Sequence, residues 1–348
     1  MTISIGIIGF GWMGQIHAKL SKSISDCMLK AVADKDYYKL ESARKLYDID
    51  VYQDYDQLLK RKDIDAVYIV TPAQFHYQIV KDAIKAGKDI LCEKPLALTR
   101  EEVNSLREIV NKSGRKFIIC FPERFAVSSQ EAKDIIDQGL IGKIDYIRGN
   151  FRFGMKEHDK THGTWVFDRG QGGGLILEAS VHLWDFIRWL SGKEVTKIVG
   201  VAHEYIKNNT PMEDNFAAVA YLENGGITCI DMSGSLPKDS ATDKRFEIIG
   251  SEGYIYIDEF RNYITINSDK GIDANPGMIV KGMTHKDFMW HSHVEGGVKR
   301  LQRYFIECLK QDKKPEPGIE DAARACEITW ALMDSLKSLK LEEVSYGS

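Results

Sequence analysis

Three short segments of the sequence carry residue types that suit the oxidation or reduction of a carbon bearing oxygen. A glycine-rich segment, Gly9–Gly14, and Glu93–Pro95 each follow an apolar run, and Glu178 and His182 stand four residues apart further on. Such a glycine pattern binds dinucleotides, a lysine can stabilise a developing alkoxide, and imidazole accepts protons near neutral pH. Each signal is weak alone, but their order and spacing favour hydride transfer involving a nicotinamide.

The glycine segment meets the conditions that give its pattern weight. The apolar run Ile3–Ile8 precedes it, helical spacing follows it, and Asp34 lies about 20 residues past the last glycine. The missing side chains permit a tight turn and bring a pyrophosphate close to the free N–H groups of a helix N-terminus. We predict that the cofactor contacts all residues of this loop: Gly9, Phe10, Gly11, Trp12, Met13 and Gly14.

The choice between NAD and NADP depends on the charges at the end of the second predicted strand. The carboxylate of Asp34 would accept hydrogen bonds from ribose hydroxyls and repel a 2′-phosphate, which favours NAD. Lys35 could contact such a phosphate, so NADP use stays open. The competing interpretation of Asp34 is a helix cap or a solvated turn residue.

Lys94 follows the apolar run Ile90–Cys92, which is predicted as a strand. In an open parallel sheet, ligands bind at the carboxyl ends of the strands, so this lysine would face the cofactor crevice. Its ammonium could donate a hydrogen bond to the reacting oxygen of the substrate. The competing interpretation is a solvated lysine in a loop.

Glu178 and His182 share one face of a predicted helix. His182 could act as a general base, and Glu178 could orient it or bind a substrate hydroxyl; a paired histidine on a surface helix is the alternative. A metal site is not expected, because no third ligand stands at a recognisable spacing.

Trp165 could stack on a sugar ring or simply pack. The remaining histidines in polar loops are solvated or line a substrate mouth: His158, His162, His291 and His293.

Length and composition describe an ordinary soluble globular protein. With 348 residues the chain exceeds the usual size of one hydrophobic core, so two domains are expected. The net charge of −4 gives no reason to expect nucleic acid or an anionic membrane as a partner. The six scattered cysteines predict buried free thiols. No signal peptide or membrane span is visible, and a cytoplasmic location is expected.

The first third of the sequence alternates short apolar runs with segments of helical spacing, which predicts a parallel, doubly wound sheet. Gly87 and Gly114 are predicted helix ends. The predicted strands are Ile3–Ile8, Leu29–Ala33, Ala66–Val70, Ile90–Cys92 and Phe117–Cys120, and the predicted helices are Ile16–Ser21, Lys39–Leu46, Tyr77–Ala86 and Glu101–Asn111.

After about residue 121 the pattern changes to strands in series, which predicts a second α/β domain with a large, mostly antiparallel sheet. A hairpin turn is expected at Asn224-Gly225. The predicted strands are Ile144–Phe153, Val195–Ala202, Phe216–Leu222, Gly226–Met232, Arg245–Ile249, Tyr254–Ile257 and Tyr263–Ile266, and the predicted helices are Gln130–Gln138, Leu175–Leu190, Val294–Gln311 and Ile319–Leu339.

Taken together, these residues resemble the Gfo/Idh/MocA family, which includes glucose–fructose oxidoreductase, inositol dehydrogenase and rhizopine catabolism proteins. The similarity covers nearly the whole chain, and its most specific part is the run ending in Glu93-Lys94-Pro95 coupled to a glycine triplet and a downstream histidine. The matching segments are Ile5–Gly11, Thr71-Pro72 with His76, Ala86–Pro95, Gly172–Gly174, His182 with Asp185, and Gly318–Ala323.

The resemblance implies a Rossmann domain over residues 1–121 and a substrate-binding and oligomerisation α/β domain over 122–348, whose C-terminal helices could pack back on the first domain. It also implies reversible NAD(P)-dependent oxidation of a secondary alcohol on a sugar, cyclitol or related polyol, by a homodimer or homotetramer. Lys94 would be the active-site lysine and His182 the proton-transferring histidine. The residues implied to line the cofactor cleft are Thr71, Pro72, His76 and Glu93.

Two departures from the family pattern concern substrate binding. Glu178 stands where the family more often has aspartate, so its carboxylate is displaced by one methylene. Pro122 stands where asparagine is frequent, so any contact of that amide is absent or replaced. Arg124 nearby is a candidate for substrate contact or for a salt bridge between the domains.

The favoured hypothesis is an NAD-dependent dehydrogenase of sugar metabolism, with Lys94, His182 and Glu178 as catalytic residues. A glycoside-cleaving enzyme that uses bound NAD transiently, without net redox change, is the second hypothesis. A non-catalytic ligand sensor is the third, and it would need neither Lys94 nor His182.

Overall fold

The computed structural model describes residues 2–154, 164–204, 213–223, 225–237, 240–261, 263–272, 275–281 and 290–347. His158, His162 and Asn224 lie outside the described residues, as do the side chains of His291 and His293. The chain divides into two compact units. Unit 1 comprises Met1–Phe121, Thr161–Gly173 and Val298–Ala323, and unit 2 comprises Pro122–Lys160, Gly174–Gly297 and Arg324–Ser348.

Unit 1 contains a six-stranded sheet in which every described pair of neighbours is parallel, in the order β3-β2-β1-β4-β5-β6. This is the order of a doubly wound nucleotide-binding fold, with a switch point between β1 and β4. The strands are β1 (Ile3–Ile8), β2 (Cys27–Ala33), β3 (Asp50–Tyr52), β4 (Ala66–Ile69), β5 (Asp89–Cys92) and β6 (Phe117–Ile119).

The helices of unit 1 begin and end where the sequence supplies caps. Thr99 accepts a hydrogen bond from the Glu102 N–H at 3.2 Å, and Gly87 and Gly114 take up the left-handed conformation at two helix ends, as predicted. The helices are α1 (Trp12–Ser21), α2 (Tyr37–Tyr47), α3 (Tyr55–Leu59), α4 (His76–Lys85) and α5 (Arg100–Ser113).

Two elements of unit 1 escape the sequence prediction. Strand β3 has three residues and helix α3 has five, so neither is long enough to show a periodic apolar pattern. The signal that was available is local, because Asp54 caps α3 by accepting a hydrogen bond from the Asp56 N–H at 3.0 Å.

Unit 2 contains a nine-stranded sheet among its described residues, in the order β14-β13-β12-β11-β7-β10-β9-β8-β15. All described neighbours are antiparallel except β7 and β10. The strands are β7 (Ile144–Arg152), β8 (Val195–His203), β9 (Asn215–Leu222), β10 (Ile227–Ser233), β11 (Asp243–Gly250), β12 (Gly253–Asp258), β13 (Tyr263–Ile272), β14 (Asn275–Lys281) and β15 (Glu342–Glu343).

The sequence prediction missed both edge strands of this sheet. Strand β14 begins with Asn275-Pro276-Gly277, which is typical of a turn, but an edge strand tolerates proline because one row of its N–H groups needs no partner. Strand β15 has only two residues.

Helix α7 (Gly174–Ser191) follows α6 (Val127–Asp137) and is buried along almost its whole length. Trp184 and Phe186 are fully buried, and the rings of Phe186 and Phe246 lie 4.4 Å apart between centroids. Because most of α7 is buried, its polar side chains Glu178, His182 and Asp185 stand among packed apolar residues of unit 2.

Helices α8 (Trp290–Gln311) and α9 (Ile319–Ser338) precede β15. No described helix combines the length and hydropathy that crossing a membrane requires.

All six cysteines lie in the described part of the chain, none forms a disulfide, and five of them are buried, as predicted.

Candidate active site

The glycine loop joins the carboxyl end of β1 to α1. Gly9 has φ +97°, and a Cβ there would lie 2.3 Å from the Val70 carbonyl oxygen; a Cβ on Gly14 would lie 2.2 Å from the Gly9 carbonyl oxygen. These two glycines are therefore required by the packing of unit 1 itself. A Cβ on Gly11, in contrast, would meet no described atom within 4 Å. The open backbone at Gly11 fits the close approach of a pyrophosphate at the N-terminus of α1.

Asp34 connects the end of β2 to this loop. Its Oδ2 accepts a hydrogen bond from the Phe10 N–H at 2.6 Å, and its Oδ1 accepts one from the Asp36 N–H at 2.9 Å. Each carboxylate oxygen retains a second lone pair, so ribose hydroxyls could still donate to Asp34. The helix-cap interpretation is wrong, because Asp36 is the residue that caps α2, through the Tyr38 and Lys39 N–H groups.

The other predicted residues of the loop region differ in what they could offer a nucleotide. The Phe10 ring is fully buried and stands edge-on to Tyr47, so only the Phe10 backbone faces the loop. Trp12 and Met13 are half-buried. The Lys35 side chain is exposed, and its ammonium lies 5.4 Å from the centre of the Phe75 ring.

Thr71 and His76 follow the end of β4. Burial lowers the pKa of His76, and its ring nitrogens lie 2.8 Å from the Pro95 carbonyl oxygen and 2.9 Å from the Thr71 carbonyl oxygen. The family resemblance implies that His76 lines the cofactor cleft, but this side chain has no exposed surface. Its position indicates that it ties the loop after β4 to the loop after β5. Thr71 and Pro72 are half-buried.

The residue directly before Lys94, Glu93, carries a buried carboxylate. Glu93 Oε1 accepts a hydrogen bond from His17 Nε2 at 2.9 Å, and Glu93 Oε2 lies 3.3 Å from the Lys94 backbone nitrogen. Gln302 of α8 donates to His17 Nδ1 at 2.7 Å, which leaves Nε2 as the protonated nitrogen that faces Glu93. Burial raises the pKa of Glu93, but the hydrogen bond from His17 and the charge of Lys94 outweigh it and lower that pKa.

His17 and Gln302 were missed by the sequence analysis. The available signal for His17 was a histidine on the buried face of α1, beside Ile16 and Leu20. Cys120 approaches the same carboxylate, so that ligand atoms of His17, Glu93 and Cys120 lie within 4.8 Å of one another. Their mutual hydrogen bonds account for this proximity.

Unit 1 thus brings together three loops at the carboxyl edge of its sheet. Gly9 directly follows β1, Thr71 is the second residue after β4, and Lys94 is the second residue after β5. Because these three strands are neighbours, the half-buried Lys94 lies at the edge where nucleotides bind in such folds.

In unit 2, His182 of α7 contacts a carboxylate that the sequence analysis did not single out. Its Nδ1 lies 3.0 Å from Glu123 Oε2. The His182 side chain is 12% exposed, and Glu123 is almost completely buried. The carboxylate that orients the Nδ1 side of this imidazole is therefore that of Glu123. Glu178, which was expected to serve as one orienting group, lies one turn before His182 on α7 and is itself buried.

Glu123 also belongs to a chain of buried charges. Lys244 Nζ lies 2.6 Å from Glu123 Oε1 and 3.2 Å from Glu259 Oε2. Burial raises the pKa of Glu123, but the charge of Lys244 and the hydrogen bonds from His182 and Lys244 outweigh it and hold that pKa well below its usual range. Burial likewise lowers the pKa of Lys244, and the two glutamates reverse this and raise it.

Arg124 is buried and forms a bidentate salt bridge with Asp185 of α7, with nitrogen–oxygen distances of 2.8 and 2.5 Å. Both residues belong to unit 2, so the expectation of a salt bridge between domains is wrong. The neighbouring Pro122 packs against Gly297 of α8, where a Cβ would lie 2.7 Å from the Pro122 carbonyl oxygen.

Trp165 packs against the first glycine of the triplet. A Cβ on Gly172 would lie 2.8 Å from Val166 Cα and 3.1 Å from Trp165 Cε3, so glycine permits this close contact. The indole is half-buried, and its stacking on a sugar ring stays a prediction.

Comparison with known proteins agrees with this geometry. The family model described as the GFO/IDH/MocA oxidoreductase family with an NAD-binding Rossmann fold matches residues 3–121, and the GFO/IDH/MocA C-terminal domain matches residues 129–256. The scyllo-inositol 2-dehydrogenase (NAD(+)) of Bacillus subtilis is 32% identical over 97% of this chain and 94% of that protein. The myo-inositol 2-dehydrogenase of Thermotoga maritima is 26% identical over 98% of this chain and 99% of that protein.

Solved structures share the fold. A levoglucosan dehydrogenase in complex with NADH and levoglucosan has a TM-score of 0.88 at 21% identity, covering 99% of this chain and 100% of that one. At this identity the similarity shows the fold alone. The scyllo-inositol dehydrogenase of Lactobacillus casei with bound NAD(H) and scyllo-inositol has a TM-score of 0.82 at 25% identity, covering 99% of both chains.

The fold and the glycine loop define an oxidoreductase with an NAD-binding Rossmann domain. The chain belongs to the GFO/IDH/MocA family. This confirms the resemblance read from the sequence, the α/β fold class, NAD as cofactor and the enzyme class of NAD(P)-dependent dehydrogenases and reductases.

We expect Gly11→Ala and Gly14→Ala to separate cofactor binding from folding. Gly11→Ala should retain the melting temperature, since its Cβ meets no described atom within 4 Å, but should weaken NAD binding by about tenfold or more by crowding an approaching pyrophosphate. Gly14→Ala should destabilise unit 1 by about 1–3 kcal/mol through its clash with the Gly9 carbonyl. Calorimetric titration with NAD and urea unfolding measure the two effects. Unchanged NAD binding in Gly11→Ala would contradict the assignment.

Arg124→Ala is expected to reduce stability by about 3–5 kcal/mol, because it leaves the fully buried Asp185 without its bidentate partner. The double variant Arg124→Met with Asp185→Leu should recover much of this loss, since it removes both charges. Urea unfolding of the two variants checks the prediction. Equal destabilisation in both would show that the loss comes from packing rather than from an unpaired charge.

Proposed function

We propose that the chain catalyses reversible, NAD-dependent oxidation of a secondary alcohol on a cyclitol or sugar. The observation that carries this proposal is the position of Lys94, which follows β5 at the same sheet edge as the open backbone of Gly11. An ammonium at that edge can donate a hydrogen bond to an oxygen on the reacting carbon.

The chemistry divides between the cofactor and side chains of the protein. Bound NAD supplies the hydride acceptor. Lys94 stabilises the alkoxide that develops on the substrate oxygen, and His182 accepts the hydroxyl proton. Glu178 accepts a hydrogen bond from a neighbouring substrate hydroxyl. The glycine loop holds the pyrophosphate, and Asp34 accepts hydrogen bonds from the ribose and disfavours a 2′-phosphate.

Inositols are the first substrates to test. The two relatives named above are inositol 2-dehydrogenases that align along almost their whole length with this chain. The carboxylate of Glu178 reaches one methylene further than the aspartate of the family pattern, so the substrate hydroxyl that it binds is displaced relative to the one bound by that aspartate. A neighbouring epimer or a sugar with a displaced hydroxyl would fit such a change.

The proposal is tested by assaying purified protein at 340 nm with NAD or NADP against inositols, sugars and sugar acids. Substrate-dependent NADH formation is expected with at least one cyclitol or sugar, and a lower rate with NADP. Retained NAD without any absorbance change would favour redox-neutral glycoside cleavage, and ligand binding without any chemistry would favour a sensor.

Lys94→Ala should lower kcat by about 100-fold or more, because it removes a donor to the developing alkoxide, while NAD affinity stays nearly unchanged. Lys85→Ala, at an exposed lysine of α4, is the matched control and should behave like the wild-type protein. Stopped-flow hydride transfer and NAD titration measure the two quantities. Near-normal turnover in Lys94→Ala would exclude the proposed role.

A further inference from the structure

We propose that Glu123 is the positioning residue of the reaction: it fixes the tautomer of His182 so that Nε2 is the nitrogen that takes the substrate proton. The structural part of this inference stands on unit 2 alone. Its catalytic consequence rests on the proposed function.

The hydrogen-bonding capacities of the three side chains determine the tautomer. Lys244 has only donors, so Glu123 Oε1, 2.6 Å from Nζ, must accept. The ionised carboxylate has only acceptors, so Oε2 must accept as well, and the group 3.0 Å away, His182 Nδ1, must carry the hydrogen. In the neutral imidazole Nε2 then has a lone pair, as a general base requires.

Lys244 keeps Glu123 in the state that this arrangement needs. A carboxylate as buried as Glu123 would take up a proton if no cation compensated its charge. Lys244 is 3% exposed, lies against Glu259 on its other side, and has its ammonium 5.1 Å from the centre of the Phe151 ring. These contacts fix the position of the Lys244 ammonium, and its charge keeps Glu123 ionised.

Among the residues that the structure describes, the other charged groups close to His182 along the chain stand on its own helix. Glu178 and Asp185 lie on α7, and Asp185 is bound by Arg124. The buried face of α6 and the inward residues of β7 and β10 are uncharged, among them Ala132, Ile147 and Ile230. Glu123 is therefore the anion that acts on the Nδ1 side of the imidazole.

The arrangement acts on the proton-transfer step of alcohol oxidation. As the carbinol carbon gives up its hydride, the hydroxyl proton passes to Nε2 and the imidazole becomes a cation. The Glu123 carboxylate stabilises that cation through Nδ1–H. In the reverse direction, the same imidazolium returns the proton to the alkoxide oxygen.

Two substitutions should shift the pH dependence of oxidation in opposite directions. In Glu123→Gln the amide oxygen faces Lys244 and the amide NH₂ donates to Nδ1 of His182. This favours the tautomer with the hydrogen on Nε2 and removes the negative charge that stabilises the imidazolium. We expect kcat to fall by about tenfold or more. The acidic limb of the kcat/KM profile should move to lower pH by about one unit, because the imidazole takes up a proton less readily.

Lys244→Met removes a positive charge from the far side of Glu123 and retains a side chain of similar length. Without that charge, the pair formed by Glu123 and His182 loses its proton only at a higher pH. The acidic limb of the kcat/KM profile should therefore move to higher pH. A defect that is only structural would not produce shifts of opposite sign. Shifts in the same direction, or unchanged profiles in two folded variants, would overturn the role of Glu123 in proton transfer.

Nuclear magnetic resonance of the protein without cofactor or substrate tests the tautomer independently of activity. Long-range proton–nitrogen spectra of 15N-histidine-labelled protein at neutral pH should show His182 protonated at Nδ1, with its signals assigned by their loss in His182→Gln. Protonation at Nε2 would overturn the inference, even in an active dehydrogenase. The Nδ1 tautomer in a protein without dehydrogenase activity would retain the structural inference and reject the proposed function.

Discussion

A carboxylate loses its hydration when it is buried, so it stays ionised inside a protein only where donors replace the water. Each unit of this protein contains one such carboxylate directly behind a residue proposed to act on the substrate. Glu93 is held by His17 behind Lys94, and Glu123 is held by Lys244 behind His182. In both cases the cost of burial is offset by a specific partner. The proposed chemistry depends on these pairings, because they restrict the loop and the imidazole to one arrangement.

The scaffolds explain why such pairings can form. In unit 1 His17 reaches Glu93 from α1, and Glu93 itself extends β5 by donating its N–H to the Ile69 carbonyl. In unit 2, His182 stands on α7, most of which is buried, and its own side chain is only 12% exposed. Rigid elements thus supply the orientation that a flexible loop would not.

Local features of both units could be predicted from the sequence. The glycine loop, Asp34, Lys94 and His182 could be singled out as candidates because each stands next to a strand or helix with a clear apolar pattern. The buried partners could not be found, because their contacts join positions far apart in the chain. Glu123 lies 59 residues from His182 and 121 residues from Lys244, and Gln302 lies 285 residues from His17. No spacing rule connects such positions before the fold is known.

The departures from the family pattern acquire a physical interpretation from the same contacts. The segment from Pro122 to Arg124 directs two neighbouring charges to different partners: Glu123 to His182 and Lys244, and Arg124 to Asp185. Because Glu123 already binds Nδ1, Glu178 is not needed to orient that side of the imidazole. In the proposed mechanism, the residue at position 178 can therefore differ with the substrate, and the geometry of proton transfer at His182 is preserved. A division of this kind, with one glutamate for the base and another for the substrate, would allow substrate choice to change without loss of the base.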